Sequence, residues 1–261
     1  MDMQFLKPLV CLALAAGAAC AQTPAPTAAP GIQPGAWQIV LLANQARATK
    51  GLPPLKWDPA LAEAAEQHCQ RMAAEGPIAH RYGGEPGLAE RASQAGAHFS
   101  LIEENIAIGS SPEAIHKEWI HSPDHYTNLM NPKVDGIGVA LVPKRGVLYA
   151  VSDFVREVPV LSQSEIESEI AHLIRVAGLT INPDPAQARA ACPLSRGLPP
   201  SFSGTPPSLV IRWENSNLTR LPKQLVDQLE TGGFHRAAVG SCAPKNANPG
   251  FASYRLAVLL Y

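Results

Sequence analysis

The sequence predicts an α+β protein with two folded units, residues 36–158 and residues 159–261. In the first unit, segments whose apolar residues recur at helical spacing precede two β-rich runs, Gly136 to Val142 and Val147 to Phe154, which residues 143–146 separate as a turn. In the second unit, an amphipathic helix again precedes runs with strand character. Helices followed by antiparallel strands are typical of a layered α+β domain, so we expect one such domain in each unit.

Four helices are predicted in the first unit, and each has a start or a stop signal. A short polar residue caps the first turn, proline suits the first helical position, and glycine follows the last turn. The predicted helices are residues 36–50 before Gly51; residues 59–75 between Asp58 and Gly76; a helix with capping-box spacing from Ser110 to Glu113 that ends before Pro123; and a short helix behind Ser122 and Pro123 that carries His125.

The second unit opens on a helix from Ser164 to Gly178, in which Ser164 and Glu167 have capping-box spacing. A second helix is predicted from Leu221 to Leu229. The Pro- and Ser-rich connection from Pro183 to Pro207 exceeds ordinary loop lengths, so we expect it to be partly disordered or draped over the surface. The predicted strands are Leu209 to Trp213, Arg236 to Gly240 and Arg255 to Tyr261.

Residues 1–21 have the pattern of a secretory signal peptide. A basic residue precedes the apolar run Leu9 to Ala19, and small residues lead to a cleavage site after Ala21. The apolar run is shorter than the roughly 20 residues that a membrane span needs, so no transmembrane anchor is expected. The alternative is that Cys20 carries a lipid. Residues 22–35 are rich in Pro, Ala and Thr and are predicted to be an unstructured linker, so we expect a secreted or periplasmic protein.

The charge balance indicates which partners the composition does not favour, and the cysteine content predicts one disulfide. The 21 basic and 22 acidic side chains nearly cancel, so the composition indicates neither nucleic acid nor an anionic membrane as a partner. Of the five cysteines, Cys11 and Cys20 leave with the signal peptide, and one of the remaining three must stay unpaired. Cys69 lies on the apolar face of the second predicted helix, whereas Cys192 and Cys242 lie in Pro- and Ser-rich turns. We therefore predict a Cys192–Cys242 disulfide.

Four motifs follow one another in the first unit. They are Asn44-Gln45-Ala46-Arg47 leading to Gly51-Leu52 and Leu55-Lys56-Trp57; Glu104-Asn105-Ile106-Ala107; Trp119 to His125, ending in Asn131-Pro132; and Ile137-Gly138-Val139-Ala140. In this order they resemble the bacterial branch of the CAP superfamily, which includes cysteine-rich secretory proteins, antigen 5 and pathogenesis-related proteins. The resemblance covers residues 36–158 and implies a three-layer α-β-α sandwich, with the second unit as a separate small α+β module.

The resemblance also implies a candidate site. In some family members a cleft lined by two histidines and two acidic residues binds zinc or another divalent cation. His80 resembles the first histidine, Glu104 the acidic residue of the Glu-Asn motif and His125 the second histidine. Ser122 stands where the fourth, acidic residue would be. Two imidazoles and one carboxylate suffice to hold Zn²⁺ with one open coordination position, so a weakly bound divalent cation is expected.

The same residues also have structural interpretations. Glu104 can accept backbone N–H bonds and fix its loop, and His125 can bond to the backbone of its own short helix. His68 is expected to be a satisfied core histidine or a neighbour of the cleft, whereas His116 and His121 are expected at the surface.

These observations favour a secreted, non-enzymatic CAP-domain protein that binds a divalent cation or a small apolar ligand, since some family members bind sterols and other lipids. A secreted metal-dependent hydrolase or peptidase that uses His80, Glu104 and His125 is the first alternative. A structural module that contacts a cell-envelope component is the second.

Overall fold

The structure is a computed structural model that describes residues 31–245 and 250–261. The predicted signal peptide and residues 22–30 of the predicted linker lie outside the described residues. The described residues form eight helices and eight strands. The helices are α1 Pro34–Ala48, α2 Pro59–Glu75, α3 Leu88–Gln94, α4 Pro112–His121, α5 Pro123–Leu129, α6 Gln163–Val176, α7 Ala186–Ala191 and α8 Lys223–Glu230. The strands are β1 Lys56–Trp57, β2 Phe99–Gly109, β3 Gly136–Lys144, β4 Val147–Glu157, β5 Thr180–Ile181, β6 Leu209–Asn215, β7 Arg236–Cys242 and β8 Tyr254–Leu260.

The first sheet has the strand order β1-β3-β4-β2. β1 pairs with β3 in parallel and the other neighbours are antiparallel, so β3 and β4 form the predicted hairpin. One face of the sheet packs against α1, α4 and α5 around buried Trp119 and Phe154. The opposite face packs against α2 around Met72 and Val151. The first unit is therefore a three-layer α-β-α sandwich, as the resemblance implies.

Two close contacts fix α1 and α2 in this unit. The fully buried Arg47 side chain donates hydrogen bonds to the carbonyl groups of Leu129 and Asn131, which ties the end of α1 to the end of α5. On the other face, Gly138 in β3 lies against α2. A Cβ atom on Gly138 would be 2.3 Å from the backbone of Leu61, so α2 rests directly on the strand because no side chain separates them.

The second sheet has the strand order β5-β7-β8-β6. Its central strand β8 is buried along its whole length. α6 packs on one face through Ile170 and Ile174, and α7 packs on the other face through Ala188 and Ala191. The second unit is thus an α+β module with its own core.

The two units contact each other next to their connection. The Ala252 N–H donates to the Phe99 carbonyl at 2.8 Å, and the rings of Phe99 and Phe251 meet edge to face with 5.2 Å between their centroids. The Tyr254 hydroxyl donates to the carbonyl of Pro159. The start of β2 therefore contacts the chain segment that leads into β8.

One predicted cap in the first unit is wrong, and a second has the predicted position but no capping bond. Ser111, and not Ser110, caps α4, since its hydroxyl accepts the Ala114 N–H at 3.2 Å. Two serines are adjacent there, and the backbone places the second one at the cap position. Ser122 precedes α5 but makes no side-chain capping bond.

The predicted start of α6 is also wrong. The capping box consists of Ser162 and Glu165, and not of Ser164 and Glu167. Glu167 instead points inward: its carboxylate accepts bonds from Arg189 at 2.7 and 2.8 Å and from the Ser241 N–H at 2.9 Å. Glu167, which was predicted to belong to the capping box, therefore joins α6 to the core of the second unit.

The connection from Pro183 to Pro207 is more ordered than expected, because it contains α7 and the buried Ala188. Cys192, at the end of α7, forms the predicted disulfide with Cys242, and their Cα atoms are 5.9 Å apart. This disulfide links the long connection to the last residue of β7.

Cys69 is buried on α2 without a disulfide partner. Burial raises the pKa of its thiol to about 12. A thiol that stays protonated is a poor nucleophile, so Cys69 acts as a small core side chain.

Candidate functional site

Glu104 lies near the middle of β2 with its side chain only 3% exposed. His80 Nδ1 donates to one carboxylate oxygen at 2.7 Å, and the Arg91 guanidinium donates to the other at 2.5 Å. The expectation that Glu104 accepts backbone N–H bonds from its own loop is therefore wrong. Glu104 binds side chains from the connection between α2 and β2, and both of its oxygens are engaged.

Asp153 stands directly opposite Glu104 on β4 and is fully buried. No N–H or hydroxyl donor in the described residues bonds to either of its oxygens. Burial, and then the charge of Glu104, raise the pKa of Asp153 well above its ordinary value. The protonated form of Asp153 is therefore favoured, and in that form its hydroxyl can donate to the Glu104 carboxylate opposite it.

A second buried cluster holds the connection between α2 and α3. His68 is fully buried; its Nδ1 bonds to Glu85 at 2.7 Å and its Nε2 lies 3.0 Å from the Ala79 carbonyl. Glu85 also accepts the Tyr82 N–H at 2.9 Å. The Arg91 side chain donates to the carbonyl group of His80. His68 is thus a satisfied core histidine, and the connection that carries His80 is fixed from several sides.

The His80 side chain is 61% exposed. Because its Nδ1 donates to Glu104, the ring orientation is fixed and Nε2 is the nitrogen left for other partners. The hydrogen bond to Glu104 raises the pKa of His80, and burial and Arg91 oppose this only in part. Glu104 therefore acts on His80 as an orienting carboxylate.

His125 lies half-buried on α5, and its Nδ1 is buried without a hydrogen-bond partner. Burial lowers the pKa of His125; the charge of Glu118 opposes this shift and the charge of His80 adds to it. Two asparagine side chains hold α5 against β2. The Asn105 side chain donates to the backbone carbonyl of His125, and the Asn128 side chain donates to the backbone carbonyl of Glu104. The Glu-Asn motif thus positions both halves of the predicted site.

The structure does not bring His80, Glu104 and His125 together as three ligands of one ion. In the described ranges, no group of three or more His, Cys, Asp or Glu side chains is arranged to hold a metal ion. The chemistry of the donors agrees, because Arg91 and His80 already occupy the Glu104 oxygens. Ser122 supplies no carboxylate at the fourth position. The residues present therefore do not fit a three-ligand zinc ion.

A groove of about 480 Å³ lies between α1, α4 and α5. His116, which was expected at the surface, is half-buried, and its Nε2 is buried without a hydrogen-bond partner in the described residues. Burial lowers the pKa of His116, which keeps its imidazole neutral. The groove is lined mainly by apolar side chains, and the residues that line it are Leu42, Gln45, Ala46, Thr49, Lys50, His116, Ile120, Tyr126 and Met130.

A larger cavity of about 910 Å³ lies between the two units. Its walls carry charges of both signs, with Lys56 and Arg156 near Asp135 and Glu157. Arg156 and Asp135 already pair at 2.8 Å. This cavity contains none of the predicted site residues.

Comparison with known proteins identifies the first unit. The model of the cysteine-rich secretory protein family, CAP, matches residues 40–154. The uncharacterized protein YkwD of Bacillus subtilis (strain 168) is 31% identical over 106 residues, which are 40% of this chain and 41% of that protein. An extracellular protein containing a SCP domain from Bacillus anthracis str. Ames is 30% identical with a TM-score of 0.45, over 47% of this chain and 40% of that one. An outer surface protein from Borrelia burgdorferi is 21% identical with a TM-score of 0.44, over 46% of this chain and 91% of that one.

The sandwich of the first unit and its matched residues define a CAP domain. Residues 40–154 belong to the cysteine-rich secretory protein family, in the bacterial branch that YkwD represents. The chain spans about two fifths of the length of YkwD and of the Bacillus anthracis protein. Within residues 31–245 and 250–261, no helix is long and apolar enough to cross a membrane.

Proposed function

We propose that this protein is exported and binds, without catalysis, a small apolar molecule that carries one hydrogen-bonding group. Export rests on the signal-peptide pattern of residues 1–21. The binding site is the groove between α1, α4 and α5, and not the cleft at His80 and Glu104. The groove itself is the observation that carries this proposal.

The size and lining of the groove suit such a ligand. Its volume of about 480 Å³ lies within the roughly 300–1,000 Å³ that is usual for small-molecule sites. Leu42, Ala46, Ile120 and Met130 present apolar surface on several sides. Each Å² of apolar ligand surface removed from water contributes about 25 cal/mol, so an acyl chain or a ring system gains most of its affinity from these walls.

His116 supports the requirement for one polar group on the ligand. It lines the groove, and its buried Nε2 has no partner within the described protein. A buried polar atom without a partner is costly, and a ligand hydroxyl or carboxyl group would remove that cost once the His116 ring turns to bring Nε2 to the groove. A fatty acid and a sterol both have this combination of a long apolar body and one polar end.

Displacement of a fluorescent fatty acid from the purified protein tests the proposal. We expect saturable binding by the wild type and a loss of at least tenfold for Ala46→Phe, because the added ring fills the groove. Ala74→Phe is the matched control, since Ala74 is exposed on α2 away from the groove. Equal binding by both variants, or none by the folded wild type, would contradict the proposed site.

The polar end of the ligand is tested by His116→Phe, which keeps a ring of similar size. One hydrogen bond is worth about 0.5–1.5 kcal/mol, so we expect a roughly two- to tenfold loss for a fatty acid or a sterol. A hydrocarbon probe without a polar group should bind the variant as well as it binds the wild type. A uniform loss for both probes would show that His116 shapes the groove and does not recognise the ligand.

A weak divalent-cation site made of His80 and His125 alone is the second candidate. It is favoured by one observation: Glu104 orients His80 so that the exposed Nε2 remains available. Calorimetric titration with Zn²⁺ should then show uptake that is lost in His80→Ala and His125→Ala but kept in His121→Ala, whose ring is on the exposed end of α4. Equal uptake by all three variants would remove this candidate.

The hydrolase alternative has less support. A metal-dependent hydrolase would need Glu104 as a ligand beside His80 and His125, but the two Glu104 oxygens are bonded to His80 and Arg91. A peptide-library digestion read by mass spectrometry tests it directly, with His125→Ala as the inactive variant. A structural envelope module predicts uptake of neither fatty acid nor zinc, so the two titrations separate it from both binding hypotheses.

A further inference from the structure

The two units repeat the same order of elements. Both sheets have one short parallel edge strand, a central antiparallel hairpin and a second antiparallel edge strand, in the same arrangement. When α3 and α5 of the first unit are left out, the elements of both units follow the order helix, short strand, helix, edge strand, helix, hairpin. The pairs of matching elements are α1 and α6, β1 and β5, α2 and α7, β2 and β6, α4 and α8, β3 and β7, and β4 and β8.

Local details repeat as well. A glycine with positive φ follows the first helix of each unit, Gly51 at 67° and Gly178 at 95°. The second helix of each unit begins behind an Asp-Pro pair, and the carboxylate of Asp58 or Asp184 accepts the backbone N–H two residues later, at 2.8 Å and 2.9 Å. Shared topology and shared turn chemistry at matching places indicate a duplicated fold and not two unrelated modules.

The glycine beneath the second helix gives the register of the match. A Cβ atom on Gly240 would be 2.3 Å from the backbone of Ala188 in α7, just as one on Gly138 would meet Leu61 in α2. Both glycines lie on the first strand of the central hairpin. Aligning Gly138 with Gly240 therefore matches the hairpin and the antiparallel edge strand of the two sheets. The short parallel edge strand is shifted by two residues in this alignment, because Trp57 pairs with Ile137 whereas Ile181 pairs with Ala237.

This register identifies the residues of the second unit that correspond to Glu104 and Asp153 of the first unit. Across the first sheet, Gly138 pairs with Asp153, which pairs with Glu104. Across the second sheet, Gly240 pairs with Ala257, which pairs with Arg212. The two acids of the first unit therefore correspond to an alanine and an arginine.

We infer that residues 162–260 are a second copy of the CAP fold, in which Arg212 takes over the anchoring role of Glu104 and the histidine cleft is not built. In the first copy, Glu104 receives His80 and Arg91 from the connection after α2. In the second copy, Arg212 donates to the carbonyl groups of Ala191, the last residue of α7, and of Gly197 in the connection that follows. Each residue ties the same connection to the same place on the sheet.

The second copy also lacks counterparts of α3 and α5 among the described residues. These are the helices that carry Arg91 and His125. The fold thus forms without the acid pair, without the histidines and without the helices that position them. It follows that the buried pair of Glu104 and Asp153 is not demanded by the fold, and we assign Asp153 a role in positioning His80 through Glu104.

Hydrogen–deuterium exchange on the full protein tests the anchoring role. Arg212→Ala removes two hydrogen bonds that a charged donor makes, so residues 191–198 should exchange roughly tenfold faster or more. Arg220→Ala is the control, because Arg220 is an exposed arginine in the loop after β6. Glu104→Gln should accelerate exchange in residues 76–87 and leave residues 191–198 unchanged. If Arg212→Ala leaves residues 191–198 as protected as Arg220→Ala does, the anchoring role is refuted.

Asp153→Ala tests the claim about the acid pair, because Ala257 occupies the matching position. We expect an unchanged or higher Tm, together with faster hydrogen–deuterium exchange in residues 76–87, because the Glu104 carboxylate that holds His80 and Arg91 gains freedom. A clearly lower Tm would show that the fold does need Asp153, and unchanged exchange in residues 76–87 would refute its positioning role. Neither measurement uses a ligand, so both outcomes are independent of the groove proposed above.

Discussion

Replacing Arg91 by methionine should destabilise the protein strongly. Arg91 is 3% exposed and lies 2.5 Å from the Glu104 carboxylate and 3.9 Å from that of Glu85, both of which are also buried. Methionine keeps most of the apolar stem and removes the charge, so the acids lose their permanent cation. Breaking a buried ion pair by removing one partner costs about 3–5 kcal/mol, and we expect a loss in this range.

Urea denaturation at neutral pH, followed by far-UV circular dichroism, measures this loss as a change in the midpoint. Arg156→Met is the matched control: its pair with Asp135 has a similar distance of 2.8 Å, but the Arg156 side chain is 48% exposed. Exposed pairs contribute about 0–1 kcal/mol, so the control should unfold almost like the wild type. Similar losses of under about 1 kcal/mol for both variants would refute the view that Arg91 is the central cation of a buried network.

Three further predictions concern single residues. Burial lowers the pKa of His116 in the folded state. The stability that neutral His116 contributes is therefore fully present above the ordinary histidine pKa of about 6.5 and is lost as the pH falls through the lower pKa of the folded state. The Tm should then fall less steeply with decreasing pH for His116→Phe than for the wild type, and parallel curves would contradict this. With its pKa raised to about 12, the Cys69 thiol should resist iodoacetamide at pH 8 in the folded protein and react once urea is added, and rapid alkylation of the native state would disprove its burial. Gly138→Ala and Gly240→Ala should each cost about 1–3 kcal/mol or more through overpacking against a helix backbone, whereas Gly83→Ala, in open space, should leave the urea midpoint nearly unchanged.

Elements with local signals were predictable from the sequence. The Asp-Pro pair before α2 fixed its start, and the turn at residues 143–146 revealed the hairpin of β3 and β4. β2 was missed, because Glu103, Glu104 and Asn105 interrupt the apolar alternation at its centre. Tertiary partners offset that polarity in the fold, and they come from distant parts of the chain that no local window includes.

The candidate site was predictable only in part for the same reason. The resemblance named His80, Glu104 and His125, but nothing in the sequence around Glu104 indicates that Arg91 would occupy its carboxylate. Asp153 carried a signal that could have been used, since a lone acid inside the apolar run of β4 is unusual for a buried strand. The groove gave no motif at all, because its walls come from three helices that meet only in the folded unit.

If the protein is exported as proposed, the buried, unpaired Cys69 has a consequence for oxidative folding. A free thiol that coexists with Cys192 and Cys242 can form the wrong disulfide with either one while the chain is still open. The chain order works against this error, because α2 and all strands of the sandwich around it end by Glu157, before Cys192 and Cys242. If the chain emerges from its N-terminal side, Cys69 is buried in the folded first unit before Cys192 and Cys242 emerge. Cys192 and Cys242 then have only each other as partners for a disulfide.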